Sequence, residues 1–214
     1  MNQIEVTGEG TVSASPNQSM VTLGAITENP TLTTAQLENN TIVTSIIDSL
    51  TRLNIPKDHI QTVDYRIDMQ YTFDEGKQHF KGYQVTHLLQ VTIEPIEKTG
   101  LVVDTAVNHG ANSISTIRFM NTHPEIYYNH ALTLAIHNAQ TKASTIANTL
   151  QVKLSPYPFN VQEETRSQTP IPYSAAQFAE SKTAPIQTGA LQITAAIKAK
   201  FAYSSPTGKL DGFA

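Results

Sequence analysis

Residues 124–151 read PEIYYNHALTLAIHNAQTKASTIANTLQ, and the spacing of the alanines within them decides the fold. Ala131, Ala135, Ala139, Ala143 and Ala147 recur every fourth residue, which on a helix traces a slowly turning ribbon of small side chains. Leu132, Ile136, Ile146 and Leu150 fall between the alanines and complete an apolar arc of roughly 160°. Asn129, Thr133, Asn138, Thr141, Asn148 and Thr149 lie mostly outside that arc, with Lys142 the one charge intruding on it. Pro124 suits a first helical turn, and Glu125 complements the positive end of the helix dipole. The stretch predicts a helix of about seven turns, with a small-residue face that seats closely on a sheet or a companion helix.

Outward from this helix, Ser113 to Met120 predicts the strand that enters it, and Leu154 to Val161 an extended segment beyond it. Gly189 to Tyr203 alternates well, with Leu191, Ile193, Ala195, Ile197, Ala199 and Phe201 on one face. Toward the N-terminus, Leu101 to Val107 predicts a short helix ending at Gly110. Thr31 to Leu53 predicts a long one, capped by Thr33 or Thr34 and closed by Asn54 and Pro56. Between those two helices, Val63, Tyr65, Ile67, Met69, Tyr71 and Phe73 alternate with Asp64, Arg66, Asp68, Gln70, Thr72 and Asp74. Asp74-Glu75-Gly76 turns the chain into a returning strand from Tyr83 to Ile93, which predicts a hairpin with one face packed. Ile4, Val6 and Val12 flank Gly8-Glu9-Gly10, and the expectation there is short strands turning at the glycines and at Pro16-Asn17. A phosphate loop would need a helix directly after the glycines, whereas another strand follows.

The order strand, long helix, strand, strand occurs at about 19–94 and again at about 113–203, with Asn29-Pro30 and His123-Pro124 at matching helix entries. Antiparallel hairpins with long helices packed on one face predict an α+β fold. The expected organisation is a single domain over 1–203 built of these two pseudo-repeats, followed by a flexible tail at 204–214. Residues 165–188 hold Pro170, Pro172 and Pro185 among Ser, Ala, Thr and Gln. They are expected to interrupt the second hairpin as a long loop of the kind used at subunit contacts.

Charged residues make up 15% of the 214, and the formal charge is -4 with acids and bases interspersed. That balance gives nucleic acid or an anionic membrane nothing broad to attract. The absence of cysteine excludes disulfides, thiolate metal sites and cysteine nucleophiles. No run approaches the roughly 18 apolar residues that a membrane span needs. Met1-Asn2-Gln3-Ile4 leads straight into strand-like sequence, so the chain as given reads as cytoplasmic. Removal of a signal peptide would make it periplasmic or secreted.

Several stretches together resemble the SIMPL-domain family, a bacterial group of unknown function that includes periplasmic immunogenic and oxidative-stress-defence proteins. They are Val6-Thr7-Gly8-Glu9-Gly10, Pro16-Asn17, Ile55 through Ile60-Gln61-Thr62, Tyr65-x-Ile67-x-x-Gln70-Tyr71 and Gly82-Tyr83. Gly110-Ala111-Asn112, Ile117-x-Phe119 and the alanine helix with Lys142-Ala143 complete the set. Asn17 stands where the family usually has an acid, and Asn54 where it usually has a glycine. The resemblance implies an α+β fold, homo-oligomers and loose links to stress tolerance, without an agreed molecular activity.

The candidate chemistry is thin. His130 and His137 share the polar side of the alanine helix but lie roughly 10 Å apart along its axis, and His123 is one heptad earlier. One metal ion needs convergent ligands, so these read as exposed polar histidines. His87 shares a face with Val85 and Leu89 and reads as a histidine at the core edge. Asp64 and Asp68 lie about 13 Å apart along a strand, too far for direct acid–base cooperation. There is no Gly-x-Ser-x-Gly elbow and no P-loop. With no catalytic residue, cofactor or metal site assigned, the expectation is a non-enzymatic protein, which the family resemblance implies is homo-oligomeric and stress-protective or scaffolding. A small-ligand or metal-binding module, with histidines gathered by folding or assembly, is the alternative.

Overall fold

A computed structural model describes residues 2–164, 171–173 and 188–204. In chain order the elements are β1 (Gln3–Ala14), β2 (Gln18–Asn29), α1 (Leu32–Arg52), β3 (Ile60–Asp74), β4 (Lys77–Ile93), α2 (Thr99–Asn108) and β5 (Ser113–Met120). Then come α3 (Pro124–Thr149), β6 (Lys153–Leu154), β7 (Asn160–Glu164), β8 (Ile171–Tyr173) and β9 (Ala190–Ser204). Antiparallel sheets with helices make this an α+β fold. The chain divides into two compact units.

One unit, Pro16–Thr122, carries an antiparallel sheet of order β3-β4-β2-β5. Alternation fixes its inner face: Val21, Leu23 and Ala25 of β2 and Val85, Leu89, Val91 and Ile93 of β4 are fully buried. Val43, Ile46 and Leu50 of α1 and Val102 and Ala106 of α2 cover them. α2 begins at Thr99, before the expected Leu101, and ends just ahead of Gly110. The N-cap of α1 is Thr31, without a side-chain cap bond, and Asn29 Oδ1 accepts the Thr31 N–H at 3.0 Å. At the other end Asn54 takes φ 62°, a left-handed conformation that asparagine tolerates. Two asparagines pin the β2 margins. Asn17 donates from Nδ2 to Thr122 Oγ1 at 2.8 Å and accepts from the Thr122 N–H at 2.9 Å. An acid at position 17 can only accept, so its contact with Thr122 Oγ1 would need the hydroxyl to donate. Asn112 likewise bonds both the N–H and the C=O of Ile26, each at 2.7 Å.

The other unit comprises β1, α3 and β6 to β9. β9 pairs with β1 over its length on one side and with β6, β7 and β8 on the other. The five alanines of α3 are each at most 1% exposed, and Ala135, Ala139, Ala143 and Ala147 pack with Ile4 and Val6 of β1 and Ile197, Ala199 and Phe201 of β9. The ribbon's partner is thus a sheet. β1 also runs unbroken through Gly8 and Gly10, so the expected turn at the glycines is replaced by a close approach. A Cβ at Gly8 would stand 2.0 Å from the Ala135 carbonyl oxygen, and one at Gly10 2.1 Å from that of Ala131. Glycines in the strand and alanines in the helix are one feature seen from two sides. Lys142 lies exposed beside the arc and donates to the Thr7 carbonyl at 2.8 Å. Ile146 and Leu150 are exposed, so the buried arc is narrower than the helical wheel suggests.

β8 lies within the stretch expected as a loop and pairs with Ala190–Gln192 of β9. The remainder of that expected loop, 165–170 and 174–187, and positions 205–214 of the expected tail lie outside the described residues. Ser204 closes β9.

Candidate functional site

The hairpin of β3 and β4 departs most from the sequence expectation. β4 packs one face into the core, but β3 does not. Val63, Tyr65, Ile67, Met69, Tyr71 and Phe73 are 39–75% exposed. Their alternation is that of a buried face, yet β3 occupies the sheet edge, with β4 its one strand neighbour among the described residues. Helix and row touch through Gln36, which donates to the Tyr65 hydroxyl at 2.9 Å.

Length explains the rest of the exposure. β2 stops at Asn29, opposite Tyr83, while β3 and β4 run on to the two-residue turn at Glu75 and Gly76, both with positive φ. Past that point the hairpin is a two-stranded arm, and a ribbon of two strands is marginally stable by itself in water. Aromatic contacts line it: Tyr71 and Phe80 rings meet edge-on at 5.8 Å, and Phe80 and Tyr83 at 5.2 Å. The Tyr71 hydroxyl donates to Met69 Sδ at 3.4 Å.

At the root of the arm, Glu28, Asn29, Pro30, Gln70, Lys81, Gly82 and Tyr83 enclose an open cavity of about 300 Å³. Its charges are already matched, since Glu28 receives Lys81 Nζ at 2.8 Å and Gln84 Nε2 at 2.9 Å. Those bonds, Lys81 first, hold the Glu28 carboxyl below its usual range. The opposite face of β3 is polar. Arg66 bridges Asp64 and Asp68 at 3.3 Å each, so the two acids are joined through a cation instead of poised for proton transfer.

His87 sits at the core edge as expected. It is half-buried, its Nε2 lies 3.1 Å from Thr62 Oγ1, and its ring meets Tyr65 edge-on at 5.1 Å. Burial lowers its pKa, because desolvation disfavours the imidazolium. His123, His130 and His137 are exposed on or beside α3. Among the described residues no group of three His, Asp or Glu converges for a metal ion. Apolar alternation looks the same whether a face is covered or bare, so it does not reveal the arm. The available signal was the mismatch between two long strands and the shorter β2 beside them.

A family model, SIMPL, described as a protein of unknown function (DUF541), matches residues 4–201. Among curated proteins the chain is 28% identical over 198 residues to a 26 kDa periplasmic immunogenic protein of Brucella melitensis, covering 87% of this chain and 79% of the relative. It is 25% identical over 195 residues to the uncharacterized protein YggE of Escherichia coli, covering 91% and 78%. YggE of Edwardsiella ictaluri is similar at 26% over 194 residues, covering 86% and 81%.

Proposed function

We propose that this chain, which belongs to the SIMPL family, is a non-catalytic scaffold that assembles with copies of itself through the bare face of β3 and its arm. One observation carries the reading: a row of six large apolar side chains along an edge strand, 39–75% exposed. Leaving such a row in water costs about 25 cal/mol per Å², and large contiguous apolar patches mark interaction surfaces. The residues shared with the family support a structural role as well. Gly8 and Gly10 admit α3, and Asn112 secures β2, so these motif positions serve packing and hydrogen bonding. A role in stress tolerance rests on the family resemblance alone. The periplasm is the location favoured by the Brucella relative's name, and the cytoplasmic expectation has no comparable support.

Light scattering on the purified chain tests this. The expected native mass is a multiple of 23.4 kDa, falling to one chain when Tyr71 and Phe73 are both changed to Lys. Stability should change by no more than about 0.5 kcal/mol per surface site. A monomer at every accessible concentration removes the proposal. A second reading, a small-ligand module, draws on the cavity at the arm's root. It requires a ligand-dependent rise in melting temperature, and a flat response across amino acids, carboxylates, nucleotides and divalent metals disposes of it.

A further inference from the structure

The outer edge of β3 carries a pattern that specifies how a second copy would meet it. We infer that two chains join edge to edge through antiparallel pairing of β3 with β3, about a two-fold axis at Ile67, continuing one four-stranded sheet into the other. The inference rests on the self-assembly reading above and adds the strand, the register and the symmetry.

Four observations fix it. First, β3 is an end strand of its sheet, and among the described residues no strand pairs with its outer side. Such an edge is a template for pairing unless it is blunted. Residues 60–74 contain no Lys or Pro, and the two irregularities that could blunt the edge lie at the ends of the run Asp64–Gln70. Second, the pairing of β3 with β4 is irregular between Thr62 and Asp64 and again between Gln70 and Tyr71, leaving Asp64–Gln70 as a regular run. Its middle residue is Ile67.

Third, a two-fold axis perpendicular to a sheet keeps each face on its own side, so apolar positions must oppose apolar ones. An axis at Ile67 sets Ile67 against itself, Tyr65 against Met69 and Val63 against Tyr71. Fourth, the same axis places Arg66 opposite Asp68 of the second copy, and Asp68 opposite its Arg66, a reciprocal charge match. An axis at Arg66 or at Asp68 would oppose like charges, and one at Met69 would oppose Asp64 with Asp74. An axis at Asp64 opposes that acid with itself, while Tyr65 and Gln70 also give Arg–Asp pairs but centre the contact next to the irregularities at Val63 and after Gln70. The axis at Ile67 alone satisfies regularity, apolar match and charge together.

The lack of any native cysteine makes the test direct. Ile67→Cys and Tyr65→Cys chains are prepared separately under reducing conditions and oxidised mildly, with native mass measured by light scattering in parallel. The expected result is a covalent dimer as the main species for Ile67→Cys and little for Tyr65→Cys alone. Mixing Tyr65→Cys with Met69→Cys should then restore cross-linking severalfold. In the same assay Arg66→Asp should weaken association at least tenfold, and the double change Arg66→Asp with Asp68→Arg should recover it. Cross-linking of Tyr65→Cys without Ile67→Cys overturns the register. An oligomeric mass with neither variant cross-linking overturns β3 pairing while leaving self-assembly in place. A monomeric mass overturns both.

Discussion

The contact between β1 and α3 gives the sharpest test of the fold. Changing Gly8 to Ala adds one methyl group, and its carbon would stand 2.0 Å from the Ala135 carbonyl oxygen, 2.8 Å from Ala139 Cβ and 2.9 Å from Ala139 N. Two of those three obstacles are backbone, so no rotamer change relieves them. Ordinary contact begins near 3.4 Å, which requires the helix to retreat from the strand by roughly 1.4 Å at that point. A gap of even 0.5–1 Å forfeits about a quarter to a half of each dispersion contact, and the whole alanine ribbon shares the retreat. The expected cost is about 3 kcal/mol, the upper part of the overpacking range. At this chain length that is a fall in Tm of roughly 6–12 °C. Gly76→Ala is the internal control. It sits at φ +76° with nothing within 4 Å of the added carbon, so only the left-handed conformation costs, about 1 kcal/mol. Thermal unfolding followed by circular dichroism reads both. If Gly8→Ala melts within about 1 °C of the parent, the close approach of strand and helix is not what seats α3, and the reasoning fails.

Two pH dependences follow from the charges. Hydrogen bonds from Lys198 and then Lys200 hold the Glu5 carboxyl below its usual 4.5. The stabilisation is therefore present above the unfolded value and is lost as pH falls through the depressed folded one. Glu5→Gln should melt below the parent at neutral pH and converge with it in acid, and a constant gap at every pH contradicts the pairing. For His87, burial lowers the pKa from 6.5, so the unfolded chain binds the proton more readily and stability declines as pH drops below 6.5. His87→Phe should flatten that decline in a Tm-versus-pH series, and an unchanged slope would mean the ring titrates freely.

Legibility followed the nature of each signal. The alanine spacing in 124–151 specified a helix and a close partner, and α3 on β1 and β9 is that contact. The turn at Glu75-Gly76, the strand entering α3 and the left-handed Asn54 were likewise local in origin, fixed by residues adjacent in sequence. What escaped was non-local. Gly8 and Gly10 look like turn residues until a helix more than 120 positions away requires their missing side chains. The β3 row looks like core until the extent of β2 and α1 shows how little covers it. Lys142 reads as an intruding charge until the Thr7 carbonyl appears beside it. In each case the deciding partner is remote, and periodicity carries no record of it.

The pairing of β1 with β9 has a consequence for how the chain comes to be folded. Gln3 to Ala14 finds its ladder partners between Leu191 and Ala202, so the strand is completed by a segment made far later in synthesis. At about 5–20 residues per second, β1 waits on the order of 10–40 s on the ribosome for β9. The unit from Pro16 to Thr122 draws every strand of its described sheet from within itself and can assemble meanwhile. Contacts of such separation are slow to form. A nascent chain halted before Ala190 would thus hold one finished unit and, ahead of it in sequence, a strand whose ladder partner has yet to be made.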